Sequence, residues 1–354
     1  MCETTSNVAR HLAIQARRNP SMTALRAPVG VSGGEIRYRD LSFAELDARV
    51  DACARLMAEK GIARGTRTLL MVKQGLDLIT CTFALMKLGA VPVVIDPGMG
   101  IKSFLKCVKR TQPEALVGIP LALFLSRLFR GSFASVKARV RVDGGAFQRE
   151  VASRISAAPF AMADTGADDL AAILFTSGST GAPKGVSYLH GMFEGQLRLL
   201  DKLYHFTPGE VNMPLLPVFA LFNPAFGMTS VIPDLNPSRP AKANAEKLVA
   251  GLIQNNVTSS FGSPVLWRKV ADYCEKRSIV LPRLRTIMMA GASVPAELVA
   301  RMREIAPNAE SFTPYGATEC LPLASISGSE ILGEIAQAQK FGAEFMIPSE
   351  VNSL

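Results

Sequence analysis

Residues 175–185 read Phe-Thr-Ser-Gly-Ser-Thr-Gly-Ala-Pro-Lys-Gly. Glycine lets backbone N–H groups turn toward an anion, hydroxyls add donors, and lysine supplies a point charge, so the run suits a polyphosphate. The donors are Thr176, Ser177, Ser179, Thr180 and Lys184, with Gly178 and Gly181 freeing the backbone between them. Gly185 rather than Ser or Thr follows Lys184, so the spacing is not the Walker type. By composition alone the same run describes a flexible turn. A second group, Tyr315-Gly316-Ala317-Thr318-Glu319, combines a ring, a hydroxyl and a carboxylate, and taken alone it describes a polar turn after a strand. Residues 216–228 hold Phe219, Phe222, Phe226 and Met228, whose apolar bulk would line a pocket for an alkyl chain rather than a polar acid, with Asn223 among them. Plain core packing describes each of these equally well.

Positioning such groups takes strands and helices. Residues 41–60 have helical spacing, 67–72 read as a strand, 76–88 as a helix and 90–95 as an aliphatic strand. Residues 115–119, 139–142 and 171–175 are further strand candidates, the last leading into the phosphate-type loop. Beyond it, helices are expected at 245–255, 264–276 and 295–305, and strands at 259–262 and 285–290, the latter running into Gly291-Ala292. This alternation predicts a layered α/β fold with mainly parallel strands. We expect two α/β subdomains, residues 1–160 and 161–335, and a divergent tail over 336–354.

The 354 residues carry 39 Lys and Arg against 30 Asp and Glu, a net charge of +9, with 48% hydrophobic residues. That composition excludes a disordered chain. Six scattered cysteines lack any C-x-x-C pair, which fits a reduced, cytoplasmic compartment. His11, His190 and His205 have no metal-ligand spacing, and a structural histidine is the preferred reading of His190, close as it is to the loop. No secretory signal is evident at the N-terminus, and an amphipathic first helix is expected there. The uncharged run 212–233 contains Pro214, Pro217 and Pro224, so a continuous membrane-spanning helix is not expected. Basic residues concentrate between 102 and 154. A partner, an anionic membrane or a nucleic acid could use the excess, but no nucleic-acid motif accompanies it and a solvated face is preferred.

Residues 175–185, followed in order by Ala290-Gly291-Ala292 and residues 315–319, resemble the adenylate-forming superfamily of acyl- and aryl-CoA synthetases, adenylation domains and luciferases. Residues 41–46 and 87–92 resemble two of its earlier segments. By this resemblance the fold is the layered N-terminal domain of those enzymes, and ATP and Mg²⁺ serve to activate a carboxylate. Tyr315, Gly316, Gly291 and Ala292 would then lie against adenine. Thr318 would donate to the α-phosphate, Glu319 would hold Mg²⁺, and Lys184 would act on the phosphates. Residues 95–100, 217–224 and 313–322, with Ala220 where many relatives have histidine, are similar to the olefin-biosynthesis branch of β-lactone synthetases. That implies a hydrophobic 2-alkyl-3-hydroxyalkanoic acid substrate, and assembly with other olefin-pathway enzymes. A fatty acyl-CoA or acyl-AMP ligase is the alternative, and a non-catalytic binding fragment of the same fold a third reading. In complete relatives a Thr-Gly-Asp segment, a hinge and a small C-terminal lid domain follow. This chain is therefore expected to lack them, to bind nucleotide weakly and to turn over little.

Overall fold

Apolar strands alternating with amphipathic helices close into two sheets, one in each of two units. The computed structural model describes residues 5–176, 183–235, 240–317 and 320–335. The first unit is built from residues before 25 together with 41–197, the second from residues 25–40 and those after 197.

In the first unit, β3 (Arg67–Met71), β4 (Val91–Ile95), β5 (Ala115–Gly118), β6 (Ala138–Arg141), β7 (Leu170–Thr176) and β8 (Lys184–Leu189) form a sheet of order β6-β5-β3-β4-β7-β8. Only β7 and β8 pair antiparallel. Its helices are α1 (Arg10–Arg18), α2 (Phe43–Glu59), α3 (Leu76–Lys87), α4 (Ile101–Thr111), α5 (Pro120–Leu128) and α6 (Gly145–Ala152), with the start of α7 (His190–Tyr204). The crossovers through α4 and α5 both run toward the β6 edge, and right-handed connection places both helices on one face of the sheet. The crossover through α3 runs the other way, so α3 packs with α2 on the opposite face. Ser42 starts α2 with a capping box: its hydroxyl accepts from the Glu45 N–H at 3.2 Å, and the Glu45 carboxylate accepts from the Ser42 N–H at 2.7 Å. This gives the sequence segment 41–46 its physical basis.

The second unit holds β1 (Thr23–Ser32), β2 (Glu35–Ser42), β9 (Val211–Asn212), β10 (Thr229–Val231), β11 (Ser259–Gly262), β12 (Thr286–Met289), β13 (Glu310–Ala317) and β14 (Cys320–Ser327). Their order is β14-β13-β12-β11-β9-β10-β1-β2, and β13 and β14 pair antiparallel. The short α8 (Asn223–Phe226), then α9 (Ala245–Gln254), α10 (Pro264–Arg277) and α11 (Ala296–Ile305), complete it, around a core centred on the fully buried Trp267.

The expected subdomain boundary near residue 160 is corrected to residue 197. Strand β7 pairs in parallel with β4, Val93 opposite Ile173 and Ile95 opposite Phe175, which keeps the strand before the loop in the first sheet. Residues 25–40 join the second unit, because β1 pairs with β10, Leu25 opposite Ser230. The uncharged run 212–233 breaks into short pieces, and no helix among the described residues is long and apolar enough to cross a membrane.

Candidate functional site

In the first unit, β7 and β8 are the two arms of a hairpin whose connection is the phosphate-type run. Thr176, the last residue of β7, pairs in register with Lys184, the first of β8. Lys184 is exposed, and Ser177, Gly178, Ser179, Thr180 and Gly181 lie outside the described residues. The glycine after the lysine has a packing reason: a Cβ at Gly185 would sit 2.8 Å from the Phe175 ring. The hairpin therefore closes tightly just where the lysine emerges.

His190, at the start of α7, is not free to reach a ligand. Its Nδ1 accepts from the Val8 N–H at 3.2 Å, and the residue is buried. Burial pushes its imidazole down to about 4, against the opposing pull of Asp169 and Glu194. The folded value lies below the ordinary one, so the stability it provides is complete above about pH 6.5 and is lost as pH falls through about 4. A urea-denaturation series should show up to about 3 kcal/mol lost over that interval, with the slope much reduced in His190→Gln. An unchanged slope in the variant would place the acid sensitivity elsewhere.

In the second unit, strands β11, β12 and β13 run parallel and side by side, and Gly291, Ala292 and Tyr315 lie at or beyond their C-terminal ends, where open α/β sheets generally bind ligands. Met288 pairs with Phe312; Gly291 follows the end of β12 by two residues, and Tyr315 lies three residues further along β13. Gly291 has φ +89°, and a Cβ there would meet nothing within 4 Å. Ala292 beside it is exposed, and Tyr315 is 72% exposed, which is unusual for so large a ring. Gly316 is the opposite case: a Cβ would lie 2.6 Å from the Cys320 carbonyl oxygen and 3.1 Å from Leu321 Cα. The β13–β14 ladder shifts register between Tyr315 and Ala317, the bulge turning the Tyr315 segment out of the regular sheet. Thr318 and Glu319 lie outside the described residues.

Below these strand ends is an aromatic pocket. Phe219, Phe222, Asn223 and Phe226 line it, joined by Tyr204, Phe206, Asn212, Phe261 and Met288 from other elements. Met228, also expected there, is buried and is not among these lining residues. The free cavity is only about 30 Å³, because Phe219 stacks on Phe261 with ring centres 3.9 Å apart. The Tyr204 hydroxyl hydrogen-bonds Ser325 at 3.1 Å, and burial raises its pKa. Sequence reasoning missed a polar floor. Asn223 Nδ2 donates to Ser230 Oγ at 2.8 Å and to Asn212 Oδ1 at 3.3 Å, and Asn212 Nδ2 donates to Ser259 Oγ at 2.8 Å. Its signal was faint: isolated Asn and Ser in otherwise apolar segments, linked only by the sheet.

The family described as AMP-binding enzyme matches residues 12–344. An olefin beta-lactone synthetase of Xanthomonas campestris is 45% identical over 92% of this chain and 59% of its own length. One of Stenotrophomonas maltophilia is 43% identical over 92% of this chain and 60% of its own. The chain thus spans about three-fifths of the length of these curated relatives. Among solved structures, the N-terminal domain of FACL13 from Mycobacterium tuberculosis superposes with TM-score 0.78 at 18% identity, covering 93% of this chain and 80% of that one. The anthranilate CoA ligase AuaEII with anthranoyl-AMP gives 0.77 at 18% identity, covering 91% and 61%. These two likenesses carry the fold alone. With its motifs in order on that fold, the chain belongs to the AMP-binding enzyme family.

Proposed function

We propose that this chain takes part in ATP-dependent activation of a long-chain carboxylic acid, and that the acid is a 2-alkyl-3-hydroxyalkanoic acid closed to a β-lactone. The observation that carries the reading is the 45% identity, over nearly the whole chain, to a protein named olefin beta-lactone synthetase. The exposed Tyr315 ring and the open space at Gly291, each near the end of its strand, suit a flat purine. In this reading Lys184 and the hydroxyls of residues 176–180 neutralise phosphate charge, Thr318 donates to the α-phosphate, and Glu319 holds Mg²⁺, which offsets the triphosphate charge. Activation turns the carboxylate into an acyl group whose leaving group is AMP. The substrate's own β-hydroxyl oxygen then bonds to the carbonyl carbon, the acyl–phosphate C–O bond breaks, and the hydroxyl proton passes to solvent. Proximity favours this internal attack, and no CoA is needed. The alkyl chain would enter the aromatic pocket as Phe219 swings out of its stack on Phe261.

Calorimetric titration with an acyl-sulfamoyl adenosine, a stable mimic of the acyl-adenylate, tests the reading. The mimic carrying a 2-alkyl-3-hydroxyacyl chain should bind, and Tyr315→Ala should weaken it about tenfold or more, the worth of one aromatic stack on a base. Equal affinity in wild type and variant would remove Tyr315 from the site. Thioester formation on adding CoA, with no lactone, would favour the acyl-CoA ligase reading.

A further inference from the structure

In the first unit the α4–α5 face carries a feature that carboxylate activation does not use. On α5, Leu121, Phe124 and Leu128 are 60%, 61% and 62% exposed, and their spacing sets them in one stripe. The opposite side of the same helix buries Ala122 and Ser126 against the sheet. On α4, Lys102, Lys106 and Lys109 recur at helical spacing on the side away from the buried Phe104, Cys107 and Val108. Both helices seat on one apolar cluster, α4 through Phe104 and Val108 and α5 through Leu123, so their outer sides belong to one surface. Between residues 101 and 141 there are nine Lys and Arg and a single acidic residue, Glu114, which pairs with Arg67. None of the three α4 lysines forms an ion pair with another described residue.

A solvated basic face explains the lysines but not three large apolar side chains standing in water on the same face of the sheet. We propose that the α4–α5 surface docks on an anionic lipid bilayer, the Leu121–Phe124–Leu128 stripe entering the headgroup region and the α4 lysines meeting lipid phosphates. Charge complementarity selects this occupant: an apolar stripe bordered by a nearly acid-free basic field is the pattern of interfacial helices, and each cation near such a surface adds to the attraction. A docked enzyme would meet a water-insoluble acid where that acid accumulates. The docking itself does not depend on which acid is activated.

Co-sedimentation of the full chain with vesicles of phosphatidylcholine alone, or of equal parts phosphatidylcholine and phosphatidylglycerol, tests it. Binding is expected only to the anionic vesicles and should fall as salt is raised. Two variants should each lower the partition coefficient about tenfold or more: Leu121→Ser/Phe124→Ser/Leu128→Ser, and Lys102→Glu/Lys106→Glu/Lys109→Glu. All six positions are outside the core, and unchanged urea midpoints check that the fold persists. Absence of binding to anionic vesicles, or binding undiminished in both variants, overturns the proposal. So does self-association that the serine variant abolishes while vesicle binding stays at zero, which would assign the stripe to a second copy.

Discussion

Lys87→Met is expected to destabilise the chain by about 3–5 kcal/mol, the cost typical of removing one partner from a buried ion pair. Lys87 ends α3 with its side chain 3% exposed, and its ammonium lies 2.9 Å from Asp47 Oδ1 and against Asp51 Oδ1. The two carboxylates stand four residues apart on α2 and so share the face packed on α3. Asp51 is further fixed by accepting the Phe160 N–H at 2.9 Å. Burial already raises the Asp47 pKa in spite of the lysine, and taking the lysine away removes the opposing attraction. A carboxylate with a raised folded pKa favours folding most when protonated. The deficit of the variant should therefore be greatest at neutral pH and shrink as pH falls toward 4. The triple variant Lys87→Met/Asp47→Asn/Asp51→Asn should recover most of the loss, since no charge is left buried. Urea unfolding of the single and triple variants between pH 7 and pH 5 reads both effects. A single variant with a wild-type midpoint, or a triple variant no better than the single, would show that the cluster does not hold α2 to α3.

This cluster also illustrates what the sequence disclosed. Lys87 falls in a segment recognisable from the chain alone, yet its partners Asp47 and Asp51 lie forty residues away on another helix. Local periodicity placed α2, α3, β3 and β4 within two residues or so, because each depends on which of its own side chains are apolar. Sheet membership does not. Whether residues 25–40 belong to the first sheet or the second is decided by β1 pairing with β10, a contact two hundred residues distant. The aromatic run around Phe219 announced a pocket, but Tyr204, Phe261 and Met288, which complete it, carry no local mark. Nor does the α5 sequence, in which nothing local tells that the fold turns Leu121, Phe124 and Leu128 outward. The strand-end motifs were legible for a different reason. Their glycines answer to close approach or backbone conformation, which constrains identity at single positions.

Two of those glycines make opposite predictions. Gly316→Ala should cost about 1–3 kcal/mol of stability, as overpacking does, and weaken binding of the acyl-sulfamoyl adenosine at least about tenfold. The added Cβ meets the Cys320 carbonyl oxygen at 2.6 Å and Leu321 Cα at 3.1 Å, and backbone atoms of a paired strand cannot rotate aside as a side chain would. The β13–β14 ladder has to part at its bulge, and Tyr315 moves with it. Gly291→Ala adds its methyl to open space, so no packing is disturbed; what it meets is the positive φ of +89°, a strain of about 1–2 kcal/mol for a residue with a Cβ. Its methyl nonetheless projects where the base would lie, so affinity should fall for Gly291→Ala out of proportion to stability. The diagnostic is thus the affinity: at Gly291 it should fall further than the backbone strain accounts for, whereas at Gly316 affinity and stability fall through one displacement of the β13–β14 ladder. Calorimetry and urea denaturation on the same preparations measure it. If both variants bind the mimic as wild type does, the ends of β12 and β13 are not the nucleotide site, whatever the family resemblance of their residues.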